Sequence, residues 1–223
     1  MLIIAGSLLL CGRASAQSSD VGNWWIYFGN LQLDARWNIW HEVQYRCYDV
    51  AGDLEQLLLR GGVGYNLSEN NNNVLLGYAY IYGRPYVQGT GEKTTTWENR
   101  IYQQFLTRQR FGRVYIAHRY RIEERLRNED MDVRFRYFLS VNVPLNKPEM
   151  VPGAFYASAY DEIFLNADTP VFDRNRLYGA LGYVIRPTLR TEFGFMRQML
   201  EQGGRNQFQV VLFNTFDLAR HTD

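Results

Sequence analysis

Arginines recur at alternate positions in several segments of this chain, with aromatic or aliphatic residues between them. Arg134 and Arg136 are separated by a phenylalanine, and Arg119 and Arg121 by a tyrosine. A guanidinium presents its N–H donors as a planar fork, so it can hold a carboxylate or another small anion through two hydrogen bonds. The candidate residues that share this alternating phase are Glu42, Arg46, Arg60, Glu98, Arg100, Arg119, Arg121, Glu123, Arg125, Arg134, Arg136, Glu162, Arg176, Arg190 and Glu192.

Two interpretations of this set are open. The arginines could pair with the glutamates and fill the interior of a small barrel, or they could form a basic lumen that binds or passes a small anion. We favour the packed network, because a barrel of this size has little open bore. The argument for the anion is that the set contains ten arginines and only five glutamates.

The composition limits the class of protein. The chain has 223 residues, enough for one domain, and 46% of them are hydrophobic, which is not typical of a disordered chain. A formal charge of +1 argues against a broad nucleic-acid-binding surface. Lys93 and Lys147 are the only lysines among 24 basic residues, and arginine is preferred where a charge must sit in a hydrogen-bonded network.

Apolar and polar residues alternate along most of the chain, which predicts strands with one apolar and one polar face. In the segment 36–48, Trp37, Ile39 and Val43 share one face, and Glu42 lies on the other. Many segments are longer than the five or six residues usual in soluble proteins, and a membrane-crossing strand needs about 9–11. The predicted strands are 23–33, 36–48, 55–66, 73–83, 97–107, 112–126, 132–144, 153–165, 175–186, 188–199 and 205–218.

The apolar face of these strands could point inward, as in a soluble lipocalin-like barrel, or outward against lipid. The long strands, the 34 aromatic residues (16 Tyr, 13 Phe and 5 Trp) and the apolar alternation near the C-terminus favour the membrane form. We therefore expect an all-β fold, an antiparallel outer-membrane barrel of about 10–12 strands. Val133, Phe135 and Leu139 would then contact lipid, while Arg134 and Phe138 would face the lumen.

The N-terminal residues support export. Leu2–Leu10 is an apolar run, and Ala14-Ser15-Ala16 is a cleavage signal, so 1–16 is predicted to be a secretory signal peptide. The expected organisation is a leader at 17–22, a barrel at 23–218 and a tail at 219–223. Outer-membrane lipid of a Gram-negative bacterium is the expected environment.

Several blocks of sequence carry a resemblance to a known family. They occur in the expected order and are "WENRIYQQF", "HRYRIEERL", "RFRYFLSVNVPL", "YDEIFLN" and "FDRNRLYGALGYVI". Across roughly 22–218 the chain resembles the DUF2490 family of predicted outer-membrane barrels of unknown function. The resemblance implies a fold and a location, and it supplies no catalytic residues.

No motif indicates an enzyme or a cofactor. A lipid-cleaving enzyme would need serine and histidine together on the lipid side, yet His41 and His118 fall in the apolar phase and Ser140 and Ser158 in the polar phase. "HEVQY" begins like a zinc-protease motif, but Tyr45 replaces the second histidine. We expect no metal, no cofactor and no nucleic acid. A small anionic ligand stays possible, and the sequence names no protein partner.

One inconsistency follows from the strand count. Single-chain bacterial barrels have an even number of strands, and eleven segments are predicted here. The expectation is therefore that one segment is miscounted, or that the first is not a full barrel strand.

Overall fold

The computed structural model describes residues 21–68, 71–127 and 130–218, and the predicted signal peptide and C-terminal tail lie outside them. These residues form a closed barrel. Its strands are β1 Val21–Gln32, β2 Trp37–Cys47, β3 Leu54–Ser68, β4 Asn72–Gly83, β5 Thr96–Phe111, β6 Val114–Arg127, β7 Asp130–Pro144, β8 Phe155–Asn166, β9 Phe172–Arg186, β10 Leu189–Leu200 and β11 Gly204–Asp217. Within the described ranges, no helix has the length and apolar character that a membrane span requires.

The barrel closes through a parallel pair of strands. Each strand pairs antiparallel with its neighbour in sequence, and β1 pairs in parallel with β11, from Val21 opposite Asn206 to Gln32 opposite Asp217. The all-β barrel and the eleven segments are confirmed. The expectation that one segment was miscounted, or that the first was incomplete, is wrong. Ten successive reversals leave β1 and β11 pointing the same way, so an odd number of strands closes through one parallel joint.

The predicted faces are also found. On β7, Arg134 and Arg136 are 3% and 5% exposed, whereas Phe135 between them is 45% exposed. Phe138 faces inward as expected, where the Arg119 guanidinium lies 4.4 Å from its ring. The outer wall is therefore apolar and the interior polar, which is the reverse of a soluble barrel.

Two ends of the barrel can be distinguished. We call the end where β1 begins at Val21 the lower rim and the end where β1 finishes at Gln32 the upper rim. The longest connection at the upper rim, 145–154 between β7 and β8, packs back on β9. The Gly153 amide donates to the Val184 carbonyl at 2.8 Å, and the Val184 amide donates to the Ala154 carbonyl at 2.9 Å. This connection therefore forms a fixed part of the upper rim.

Candidate functional site

All fifteen predicted network residues lie on the inner face of the barrel, and twelve of them are less than a tenth exposed. They do not form one uniform network. Those nearer the lower rim pack into a set of ion pairs and hydrogen bonds, which we call the ion-pair layer. The others line a cavity between this layer and the upper rim, which we call the vestibule.

Glu123 is the centre of the ion-pair layer. Register places it directly opposite Arg134, and Arg121 opposite Arg136, so these side chains meet on one inner face. The Arg134 Nη2 donates to Glu123 Oε2 at 2.6 Å, and Arg136 also donates to the carboxylate. Nitrogens of Arg100 and Arg121 lie 3.5 Å from its oxygens. Four guanidinium groups therefore surround one buried carboxylate.

Glu162 on β8 is a second centre, shared by the layer and the vestibule. It accepts hydrogen bonds from Arg136 Nη2 at 2.6 Å and from Arg119 Nη2 at 2.7 Å, and Arg176 Nη1 lies 3.9 Å away. Because Arg136 binds both Glu123 and Glu162, it joins the two centres into one connected network.

The remaining predicted pairs extend the layer around the wall. Glu98 accepts from Arg100 Nε at 2.7 Å and from Arg125, and Glu42 accepts from Arg60 Nη1 at 2.9 Å. Arg46 is held by amides instead, because its Nη1 lies 3.0 Å from Gln56 Oε1 and its Nε 2.9 Å from Gln44 Oε1. Gln44 in turn donates to Glu42.

Aromatic rings that were not among the predicted site residues fill the space between the guanidinium groups. The Phe164 ring lies 4.5 Å from the Arg136 guanidinium and 4.6 Å from that of Arg176. Trp24 lies 3.7 Å from the Arg46 guanidinium, and Tyr102 lies 4.3 Å from that of Arg121. These rings could have been found from the sequence, because they share the inward alternating phase of their strands. Cation–π contacts of this kind stabilise a charge that has lost its water.

The vestibule is a cavity of about 470 Å³. Gln32, Asn66 and Thr215 line it near the upper rim, whereas Trp24 and Arg176 line it towards the layer. Its charged lining consists of six arginines and three glutamates: Arg60, Arg108, Arg119, Arg136, Arg176, Arg190, Glu42, Glu162 and Glu192. The cavity is therefore cationic, and in the described residues its floor is the ion-pair layer.

Arg190 and Glu192 are predicted members that the structure does not bring into the network. The Arg190 guanidinium stacks 4.2 Å from the Phe213 ring, and among the described side chains no carboxylate oxygen lies within 4.0 Å of it. Glu192 instead accepts hydrogen bonds from the Tyr156 hydroxyl at 3.0 Å and the Tyr178 hydroxyl at 3.4 Å.

Several polar residues of the interior were not predicted, and Arg108 and Gln104 illustrate two reasons. Arg108 lines the vestibule but lies one residue beyond the predicted strand 97–107, and β5 continues to Phe111. Gln104 accepts from Arg121 Nη2 at 2.6 Å and Nε at 3.1 Å, so a neutral amide serves as a partner in the layer. Continuing the phase of Glu98 along β5 identifies both residues.

The residues that could suggest an enzyme do not meet. Ser140 and Ser158 line the vestibule, whereas His118 lies in the outward phase, with its Nδ1 2.9 Å from the Tyr137 hydroxyl. His41 also lies in the outward phase and contacts the Tyr27 ring, on the opposite face of β2 from Glu42. The described residues contain no group of three or more His, Cys, Asp or Glu side chains that could hold a metal ion.

A family model described as a protein of unknown function, DUF2490, matches residues 21–209. The chain belongs to the DUF2490 family. The match begins with β1 and extends into β11, so it covers almost the whole barrel of this DUF2490 protein. No curated protein and no solved structure matches the chain.

Proposed function

We propose that this DUF2490 protein is a non-enzymatic outer-membrane β-barrel with a structural or binding role, whose lumen is sealed by the ion-pair layer. The observation that carries the proposal is the connected network through Arg136, which joins Glu123 on β6 to Glu162 on β8 along the inner wall. From this network the Arg121 guanidinium reaches to within 5.8 Å of the Trp40 ring on β2, across the interior. A conducting path would have to pass side chains that are already paired and packed against rings.

The outer wall supports the location in a membrane. Leu76, Phe193 and Leu177 are each more than half exposed, and similar outward residues occur on every strand. Soluble monomers rarely expose apolar patches larger than a few hundred Å². Strands of 11 to 16 residues are long enough to cross a hydrocarbon core at a tilt.

The absence of an assembled catalytic group within the described residues supports the non-enzymatic role. Serine and histidine lie on opposite faces of the wall, so a hydroxyl in the vestibule cannot be activated by an imidazole outside it.

A narrow anion channel is the second candidate, and the cationic vestibule is the observation that favours it. Both candidates are tested by placing the purified protein in a planar lipid bilayer. We expect no conductance steps from the wild-type protein. Anion-selective currents would instead support the channel. Cell fractionation tests the location, because recovery in the soluble periplasmic fraction would contradict the membrane assignment.

A further inference from the structure

The vestibule has the dimensions of a ligand pocket. A volume of about 470 Å³ falls within the usual range for small-molecule sites. A second cavity of about 260 Å³ lies beside it under Met150 of the 145–154 connection. Arg190, Asn142 and Phe213 line both cavities. A ligand entering at the upper rim would therefore meet Arg190 at the junction of two spaces.

The charges in the vestibule are not balanced. Of its three glutamates, Glu42 and Glu162 already accept from arginines, and Glu192 is held by two tyrosine hydroxyls. Six arginines and three glutamates line the cavity, and one of the arginines, Arg136, also pairs with Glu123 of the ion-pair layer. Arg190 has ring contacts but, within the described part of the chain, no ion pair. An anion would supply the partner that this guanidinium lacks.

Four lining side chains also have buried polar atoms without a hydrogen-bond partner. The Nε atoms of Arg60 and Arg119 and the Nε1 of Trp24 have no acceptor, and the Asn142 Oδ1 has no donor. Buried polar atoms are normally satisfied, so unsatisfied ones at a cavity indicate where a bound molecule would make contact. Two cationic donors, one indole N–H and one acceptor fit a ligand with an anionic group and a second polar group or water.

The rest of the wall is apolar and aromatic. The Phe28 ring lies 5.1 Å from Phe213 and 6.2 Å from Trp40, and all three line the vestibule. A small inorganic anion would make no use of these surfaces. An organic molecule could bury its apolar part against the rings while its charged end meets the arginines.

We propose that the vestibule binds a small organic carboxylate with an apolar body, with Arg190 as its principal charge partner. The inference extends the binding role in the proposed function, since the ion-pair layer would close the pocket at its lower end. The carboxylate class follows from the planar guanidinium fork, and the apolar body follows from the rings.

Titration calorimetry on the full chain in detergent tests this site with octanoate, benzoate, the neutral octanamide and inorganic phosphate as probes. We expect saturable binding of at least one carboxylate at concentrations below the critical micelle concentration of the probe. Octanamide should bind at least about tenfold more weakly than octanoate, because it brings no charge to the guanidinium. Equal affinity for acid and amide, or phosphate binding without carboxylate binding, would overturn the proposal.

Matched variants locate the site. Arg190→Gln should weaken carboxylate binding by about tenfold or more, whereas Arg197→Gln on the outer face of the same strand should leave it unchanged. Should Arg190→Gln not fold, Ala117→Phe narrows the vestibule without removing an ion-paired side chain and should reduce binding strongly. Equal binding by both glutamine variants, or full binding by Ala117→Phe, would contradict the assignment.

Conductance of the same preparation separates this inference from the proposed function. Anion currents together with carboxylate binding would contradict the proposal of a sealed lumen and support the proposed carboxylate site. If the bilayer shows no conductance and no carboxylate probe binds, the proposed carboxylate site is contradicted, whereas the proposal of a sealed lumen is supported.

Discussion

The ion-pair layer and the vestibule use the same basic residue and differ in what surrounds each guanidinium. In the layer, Arg136 contacts two carboxylates and the Phe164 ring. In the vestibule, Arg190 contacts the Phe213 and Tyr156 rings. A buried charge with two carboxylates is a structural element, because removing either partner leaves the other unsatisfied. A charge that contacts rings and a neutral hydroxyl, but no carboxylate, is available to an anionic ligand.

The comparison predicts the largest loss of stability for a substitution of Glu123. Glu123→Ala should destabilise the barrel by about 3–5 kcal/mol, since several buried guanidinium groups lose a shared carboxylate. Thermal unfolding in detergent, followed by the gel shift on heating, measures the effect. Glu124→Ala is the matched control, because this neighbour faces outward and only accepts from Gln103. Similar losses for both variants would show that the layer does not hold the barrel together.

The next largest effect is expected for a charge added to the outer wall of the barrel, compared with the same charge added to its interior. Leu139→Arg would place a charge on the apolar wall, at a cost of roughly 2–4 kcal/mol if that position lies near the middle of a membrane. Ser140→Arg would place it in the vestibule, which has room for it. Assembly of the barrel should therefore suffer more from Leu139→Arg. A reversed order would mean that the two faces are misassigned.

Single arginines from the two regions should differ in stability. Arg134→Ala removes donors to Glu123 and Asp173, and we expect a loss of about 1–3 kcal/mol. Arg190→Ala removes ring contacts and a hydrogen bond with Tyr156 but no ion pair, and it should cost less. Neither change should create a conductance. Urea unfolding of both variants gives the comparison, and equal costs would remove the distinction between the two regions.

The smallest effect is expected outside both regions, in the turn between β1 and β2. The amides of Trp37 and Arg36 donate to the Asp34 carboxylate at 2.8 Å and 2.7 Å, and these bonds lower its pKa below the ordinary value of 3.8. A lowered pKa in the folded state means that the stabilisation is present at neutral pH and is lost as acid titrates the carboxylate. Acid unfolding of Asp34→Asn should lack this small component. A pH profile identical to that of the wild type would contradict the assignment.

Much of the fold could be predicted from the sequence because alternation is a local signal. The inward position of Phe138, against its apolar character, followed from the phase of Arg134 and Arg136 alone. The division of the lumen could not be predicted, because the depth of a side chain depends on register between strands. Arg190 shares its phase with Glu192, yet only the pairing of Arg190 with Phe213 places it beside a ring. The parallel closure has no local signal either, since it joins the two ends of the barrel sequence.

That closure has a consequence for how the barrel assembles and opens. Ten of the strand pairs are hairpin neighbours, whereas the pair that joins 21–32 to 206–217 has no turn to nucleate it. Contacts between such distant residues form slowly, and parallel pairing is slightly less stable per residue. Arg205 of β11 reaches past β1, where its Nη1 lies 3.0 Å from Glu55 Oε2 and its Nη2 3.3 Å from the Tyr48 carbonyl. The β1–β11 pair should therefore form last during folding and separate first during unfolding. Arg205 stabilises this pair at the lower rim.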